Sequence, residues 1–433
     1  MAHPFADDFQ VRPYWWEAAA PEDTGDASPA SVDVAIVGSG YAGLAAALEL
    51  VRGGQSVALF DAGPLGIGAS TRNGGLVSGG LKISKAVARR FGGEVAAAML
   101  EEGRQTLTHL ETMIEQEGLE TGYRRSGRFV GAHCRSALRA QEAQVQGLTA
   151  RGIRARIVPK AELRGVIGTD AFVGGMAVDD AGCLHPAMYH RALRNLVRQA
   201  GATLTPHCAV NAILREGMGF RLLHASGETT AQHVFVATNG YTGELSPWFR
   251  RRLIPLASYM IATEPLPADL IQRLSPEGRV FADTKRVLSY FRISPDGSRV
   301  LYGGRASFVD GGEVTGAAKL YRFMTRVWPE LDGVELTHAW KGNVAFTFDW
   351  VPHIARHDGV VYVGGCQGSG VAMATWLGHQ AARSLLGANQ PSAFDRDIFP
   401  TAPLYDGRPW FLPFVGTWYQ LRDALDVRLD RAG

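Results

Sequence analysis

The stretch Val-Gly-Ser-Gly-Tyr-Ala-Gly, residues 37–43, constrains this chain more than any other. Gly38 permits a tight turn, Gly40 lets the backbone come up against a pyrophosphate, and Gly43 allows a helix to pack closely on a strand. The flanking residues supply the rest. DVAIVG reads as a short β-branched strand, AGLAAALELVRGG as an Ala/Leu-rich helix stopped by Gly53 and Gly54, and SVALFD as a second strand. The helix begins at the glycines, so its N-terminal N–H groups face the anion. Asp61, eighteen residues after Gly43, ends the second strand where a carboxylate can accept hydrogen bonds from an adenosine ribose. With Ser39, Tyr41 and Ala42 among the glycines and Ala62 after the acid, this is a dinucleotide site in a β-α-β unit. It leaves NAD and FAD undecided, because both present ADP to the same loop.

At 433 residues the chain has room for two cores. Forty-four Lys and Arg against 42 Asp and Glu give a formal charge of +2, too balanced for a nucleic-acid partner. The four cysteines, Cys134, Cys183, Cys208 and Cys366, are scattered and signal neither a disulfide framework nor a metal site. The polar, acidic N-terminus lacks the apolar run of a signal peptide, and Val34 to Val51, broken by glycines and Glu49, is a poor membrane span. The expectation is a soluble, cytoplasmic protein, with peripheral membrane contact possible but not signalled.

The leader, residues 1–30, is expected to wrap the surface with Trp15 and Trp16 packed into a groove. Leu81 to Glu117 has a helical pattern and GRFVGAH reads as a strand. A second βαβ-like element runs from GMAVDDAGCLHP to HVFVATNGY, where the Ala-Thr-Asn-Gly ending suggests another nucleotide-side loop. From Leu253 to Trp340 the chain turns strand-rich, with SPDGS as a turn. GVVYVGGCQGSGV then returns to strand, glycine loop and helix.

Two further loops bear on the cofactor. GASTRNGGLVSGG, Gly68 to Gly80, follows Asp61 with small residues, an Arg and paired glycines, as a second close backbone approach would require. GGCQGSGV, Gly364 to Val371, offers a second glycine-lined helix N-terminus, suited to the electron-rich pyrimidine edge of a reduced flavin. The order VGSGYAG, Asp61, GASTRNGG, DDAGCLHP, WKGNVAFTFDWVPHI and GGCQGSGV resembles the D-amino acid oxidase superfamily of FAD enzymes, which oxidise amines and amino acids. PYWWE and TRNGG bring it nearest to the gamma-glutamylputrescine oxidoreductases. The resemblance runs from Pro13 to about Gly387. The aromatic tail GRPWFLPFVGTWYQLRD looks like tails of this group, with no chemistry attached.

The resemblance implies an α/β fold: an FAD-binding, Rossmann-like domain of glutathione reductase type (31–90, 150–250 and 345–390) with an inserted β-rich substrate domain (91–149 and 251–344) and a C-terminal tail (391–433). It implies that Gly38, Gly40, Gly43 and Asp61 hold the ADP half of FAD, and that Val210 meets the adenine. Ser70, Arg72, Asn73, Gly74 and Gly75, with Leu76 beyond them, would line the ribityl and isoalloxazine face. Gly368, Ser369 and Gly370, followed by Val371, would line the pyrimidine edge. Some relatives tether flavin through a Cys near the position of Val344 or a His after the second strand. This chain has neither, so noncovalent FAD is expected. Ser369 also stands where many relatives have His.

An amine bound over the flavin can lose hydride directly, so no acid–base residue is assigned and positioning dominates. The positioning candidates are Tyr259, Tyr290, Arg292, Arg305 and Trp340. Arg305 either anchors a substrate carboxylate, with Gly303 and Gly304 leaving room beside it, or pairs with an acid such as Asp310. His185 reads as a capping or packing residue, and His338 and His353 have no partner at ligand spacing. The expected activity is oxidation of a C–N bond in an amine or amino acid by hydride transfer to flavin N5, to an imine that hydrolyses, with a gamma-glutamylputrescine-like or related carboxylated amine as substrate and oxygen or an electron carrier as acceptor. The alternatives are a D-amino acid dehydrogenase feeding a respiratory acceptor and a non-catalytic redox sensor.

Overall fold

The computed structural model describes residues 4–432 apart from Gly80, Lys82, Ser84, Ala306, Ser307, Val309 and Asp310. The expected β-α-β unit is present as strand Ser31–Val37, helix Tyr41–Arg52 and strand Val57–Phe60, the strands pairing in parallel from Val34 opposite Val57 to Val37 opposite Phe60. On the other side of Ser31–Val37 lies Gly227–Val236, which pairs in parallel with it and with Val360–Gly364. All these strands therefore release their loops at one edge, the carboxyl end where ligands of such sheets bind. VGSGYAG, Asp61, ATNGY and GGCQGSG, far apart in sequence, meet there.

Beneath that edge a core joins Leu44, Leu48, Leu107, Leu110, Tyr189, Leu193 and Leu377, from the cradle helix Tyr41–Arg52 and helices Gly93–Gln116, Pro186–Gln199 and Gly370–Leu385. The cradle helix and Gly370–Leu385 touch backbone to backbone, since a Cβ on Gly378 would overlap the Ala42 carbonyl oxygen.

The larger sheet has nine strands, in the order Phe5–Gln10, Leu336–Thr347, Leu253–Thr263, Val300–Gly304, Ser289–Ile293, Val280–Asp283, Arg128–Gly131, Gly174–Val178 and Ala155–Pro159. Helix Glu313–Val327 covers one face over a core of Tyr259, Ile261, Phe291, Tyr302 and Leu320. The other face carries Met260, Leu301 and Trp340, packed with Trp15.

Three expectations about organisation change. The leader does not only wrap the surface: Phe5–Gln10 is an edge strand, parallel to Leu336–Thr347. Residues 155–178, expected on the nucleotide side, extend the larger sheet beside Arg128–Gly131. Helix Gly93–Gln116, expected on the substrate side, packs Met99, Leu107 and Leu110 into the nucleotide-side core. An apolar stripe at helical spacing reveals that a face is buried but not what buries it. The helical run also breaks at Gly92, whose φ of 86° is left-handed. The tail ends in helix Leu412–Ala432.

Candidate active site

A cleft of about 540 Å³ opens at the carboxyl edge of the smaller sheet, lined by Gly38, Ser39, Gly40, Tyr41, Ala42, Asp61, Ala62, Ser70 and Val210, among others. Gly43 lies just behind, where a Cβ would overlap the Gly38 carbonyl oxygen; Gly38 itself has φ 106°. Backbone geometry alone thus requires glycine at both positions. The Asp61 carboxylate accepts from the Ser39 amide (2.9 Å) and hydroxyl (2.5 Å) through Oδ2, and from the Gly63 amide (3.1 Å) through Oδ1. It braces the turn from within, and each oxygen keeps lone-pair capacity for a ribose hydroxyl. Ser70 Oγ accepts from the Tyr41 amide at 3.0 Å, joining the second loop to the cradle helix.

His190 supports this turn without any sequence signal. It is buried, its Nε2 donates to the Ser39 carbonyl at 2.7 Å, and burial lowers its pKa to about 4, so it is neutral at pH 7. Thr238, Asn239, Tyr241, Glu244 and Cys366 also line the cleft, though sequence reading picked none of them as site residues. Of these, the ATNGY ending was the visible signal: Asn239 takes φ 45° and its Oδ1 accepts from the Gly365 amide at 2.9 Å, linking two of the loops. Burial pushes the Cys366 thiol up to about 12, so it stays protonated.

Beyond Ser70 the loop turns from the cleft towards the larger sheet. Asn73 Nδ2 donates to the carbonyls of Ala69 and Ser70, and its Oδ1 accepts from the Gly75 amide. Three indoles hold the same stretch: Trp15 Nε1 donates to the Asn73 carbonyl, Trp16 Nε1 to Thr71 Oγ1, and Trp340 Nε1 to the Arg72 carbonyl, at 2.8, 2.9 and 2.8 Å. Arg72 stacks over Trp16 and donates to the carbonyls of Ile67 and Lys341. Leu76 continues into a short strand paired with Ala181–Cys183. The glycine loop containing Gly368, Ser369, Gly370 and Val371 forms the N-terminus of helix Gly370–Leu385, with Val344 the nearest side chain to Gly368.

The substrate candidates divide. Tyr290 lies against Gly74 on one side and Gly303 on the other, so that a Cβ on either glycine would strike its ring. Its hydroxyl bonds Ser258 Oγ at 2.9 Å, and burial raises its pKa, which keeps the phenol neutral. Arg305, half-buried, sits 4.8 Å over the Phe346 ring, beside Tyr290 and Tyr419. Among the described residues it has no acidic partner; Asp310, the alternative partner named from sequence, lies outside them, as does Gly80. The room expected beside Gly303 and Gly304 is already filled, by the Tyr290 ring and by the Leu288 carbonyl.

The other three candidates are already engaged. Tyr259, 1% exposed, points to the opposite face of the sheet and packs under Gly316 of helix Glu313–Val327. Arg292, also 1% exposed, donates from Nη1 to the Leu184 carbonyl (2.7 Å) and the Gly75 carbonyl (3.3 Å), clamping the loop at Gly75 to the sheet. Trp340 is buried with its only donor committed to the Arg72 carbonyl. His185 caps helix Pro186–Gln199 by accepting from the Met188 amide.

A glycine cradle at a helix N-terminus, a braced acid and a long cleft fit the ADP part of a dinucleotide, and comparison with known proteins decides which one. Residues 33–384 match the DAO family model, FAD dependent oxidoreductase, and the chain belongs to that family, with FAD as its cofactor. The chain is 30% identical over 420 residues to a probable oxidoreductase, OrdL, of Rhizobium meliloti (strain 1021), covering 94% of this chain and 97% of that one. It is 28% identical over 418 residues to the gamma-glutamylputrescine oxidoreductase of Escherichia coli (strain K12), covering 94% and 96%. Among solved structures, glycine oxidase from Geobacillus kaustophilus shares the fold with a TM-score of 0.70 at 19% identity, over 87% of this chain and 99% of that one.

Proposed function

We propose that this oxidoreductase acts on an amine that carries a carboxylate, taking hydride from the carbon next to nitrogen and giving an imine that hydrolyses. The observation that carries the reading is Arg305, a half-buried guanidinium with no acidic partner among the described residues, set between Phe346 and Tyr290. A planar guanidinium holds a carboxylate through two parallel hydrogen bonds, which fixes direction as well as supplying affinity. Bound FAD supplies the hydride acceptor. Tyr290, neutral and pinned against Gly74, joins the arginine to the loop expected to hold the ring. Phe346 and Trp350, whose rings lie 5.7 Å apart, give the same region an apolar side for the carbon chain of the amine. The match to an oxidoreductase family favours an enzyme over a redox sensor. The four buried, unpaired cysteines suit a cytoplasmic setting.

Anaerobic mixing of the yellow protein with polyamine derivatives, N-methyl amino acids, cyclic imino acids and D-amino acids tests this. Carboxylated amines should bleach the flavin, and simple amines should do so far more slowly. Bleaching by simple amines alone would overturn the reading. Peroxide formation on readmitting air then separates an oxidase from a dehydrogenase that needs a carrier. With Val344 at the tether position, acid precipitation should leave the flavin in the supernatant.

A further inference from the structure

Helix Leu412–Ala432 is amphipathic with its faces reversed. Its acids turn inward to the body of the protein. Asp423 accepts from the Arg286 guanidinium (2.9 Å) and from the amides of Arg286 and Val287, Asp426 accepts from the same guanidinium (2.7 Å), and Asp430 accepts from the Arg135 amide (2.8 Å). The outward face carries Phe414, Trp418, Leu421, Leu425 and Leu429, and Trp410 just before the helix extends it, each between 47% and 72% exposed. Their spacing of four, four, three, four and four residues makes one continuous stripe. Single exposed apolar residues are ordinary, but a stripe of this kind marks an interaction surface.

We propose that this stripe seats the protein on an anionic lipid surface. The charges decide the occupant. With Asp423, Asp426 and Asp430 engaged by the body, the charged side chains exposed along the helix, among those described, are Arg422 and Arg428; just before it Arg408 and Asp406 are both exposed, 3.9 Å apart, and offset one another. A second copy presenting this face would bring arginine towards arginine. Five side chains on one helix, with Trp410 before it, also fall well short of the ~20–30 residues a side that a stable protein interface uses. Indole, phenyl and leucyl groups flanked by arginine are instead what an interfacial helix places at the headgroup boundary, and the cytoplasmic leaflet is negative. The helix lies on such a surface rather than crossing it: no described helix is long and apolar enough to cross a membrane. Seating also touches the surroundings of Arg305. Gly416 of this helix packs on Phe308, whose ring meets Tyr419 at 6.1 Å, and Tyr419 stands beside Arg305.

The test is co-sedimentation of the FAD-loaded protein with vesicles of phosphatidylcholine alone or of phosphatidylcholine and phosphatidylglycerol in equal parts. The parent should pellet with the anionic vesicles and stay in the supernatant with the neutral ones. The triple variant Trp410→Ser, Phe414→Ser, Trp418→Ser should lose binding by roughly 100-fold or more. The pair Arg422→Gln, Arg428→Gln should lose roughly 30-fold. Each variant is checked for bound flavin absorbance, which reports folding independently of lipid. A parent that ignores anionic vesicles, or a triple variant that binds them as well as the parent, overturns the proposal. So does light scattering that finds a parental dimer dissolved by the triple substitution, because the stripe is then covered by a second copy.

Discussion

The nucleotide cradle and the arginine wall are built by opposite means. From Gly38 to Asp61 the cradle is contiguous, and its shape follows from backbone: a left-handed glycine, a glycine with no space for a Cβ, a helix start and a strand end. The wall draws Ser258, Tyr290, Arg305 and Phe346 from, or just beyond, four strands, and what each side chain faces depends on strand parity. Tyr290 pairs opposite Gly303 and Tyr259 opposite Gly304. One residue of register therefore sends two similar tyrosines to opposite faces. A site made of backbone tolerates little change in its own few residues, whereas a site made of side chains is sensitive to one group at a time.

The comparison breaks hardest at Gly43. Gly43→Ala places a Cβ against the Gly38 carbonyl oxygen, so the purified protein should be colourless and fail to take up added FAD, as read by the ratio of flavin to protein absorbance. Next comes Arg305→Met. Flavin content should be unchanged while the concentration of carboxylated amine needed for half-maximal reduction rises tens- to thousands-fold, the ~2–5 kcal/mol of a lost buried charge pair. An unchanged half-saturation would move the anchor elsewhere.

A pH series sharpens the cradle side. His190 titrates at about 4 in the folded protein against 6.5 as its ordinary value, so between these pH values the unfolded chain binds the extra proton. Stability from this group is complete above 6.5, falls as pH drops from 6.5 towards 4, and levels off below. The loss is roughly 2–4 kcal/mol. FAD release followed by flavin fluorescence should rise only as pH falls through about 4, where the folded protein takes a charge into the buried site behind the Ser39 turn. His190→Asn should flatten that dependence. The smallest effect belongs to Tyr259→Phe: a cost of ~1 kcal/mol in thermal unfolding, with the rate of flavin reduction unchanged. Slower reduction there would place Tyr259 in the wall after all.

These contrasts explain what could be read from the sequence. The β-α-β unit, the glycine positions and the convergence of the two glycine loops were legible because each is a local pattern with a backbone cause. That Tyr290 and Arg292 share a face was also legible, from their spacing of two. Which groups stand opposite that face was not. Arg292 reads like a free anchor until Leu184 and Gly75 are seen to take its hydrogen bonds. Trp15 and Trp16 read as packing until their indole N–H groups are seen on the Asn73 carbonyl and Thr71 Oγ1. His190, far along the chain in a helix, gave no sign of reaching Ser39.

The edge strand Phe5–Gln10 pairs with Leu336–Thr347, and the tryptophans that follow it grip the loop at Thr71–Asn73. During synthesis this strand must therefore wait for a partner translated roughly 330 residues later, some tens of seconds at ~5–20 residues per second. Over that interval the cradle strands Ser31–Val37 and Val57–Phe60 are out, but the indole of Trp340 that completes the grip on the loop does not yet exist. Loading of the cofactor thus follows the synthesis of Trp340, and a supply of FAD matters most from that point on.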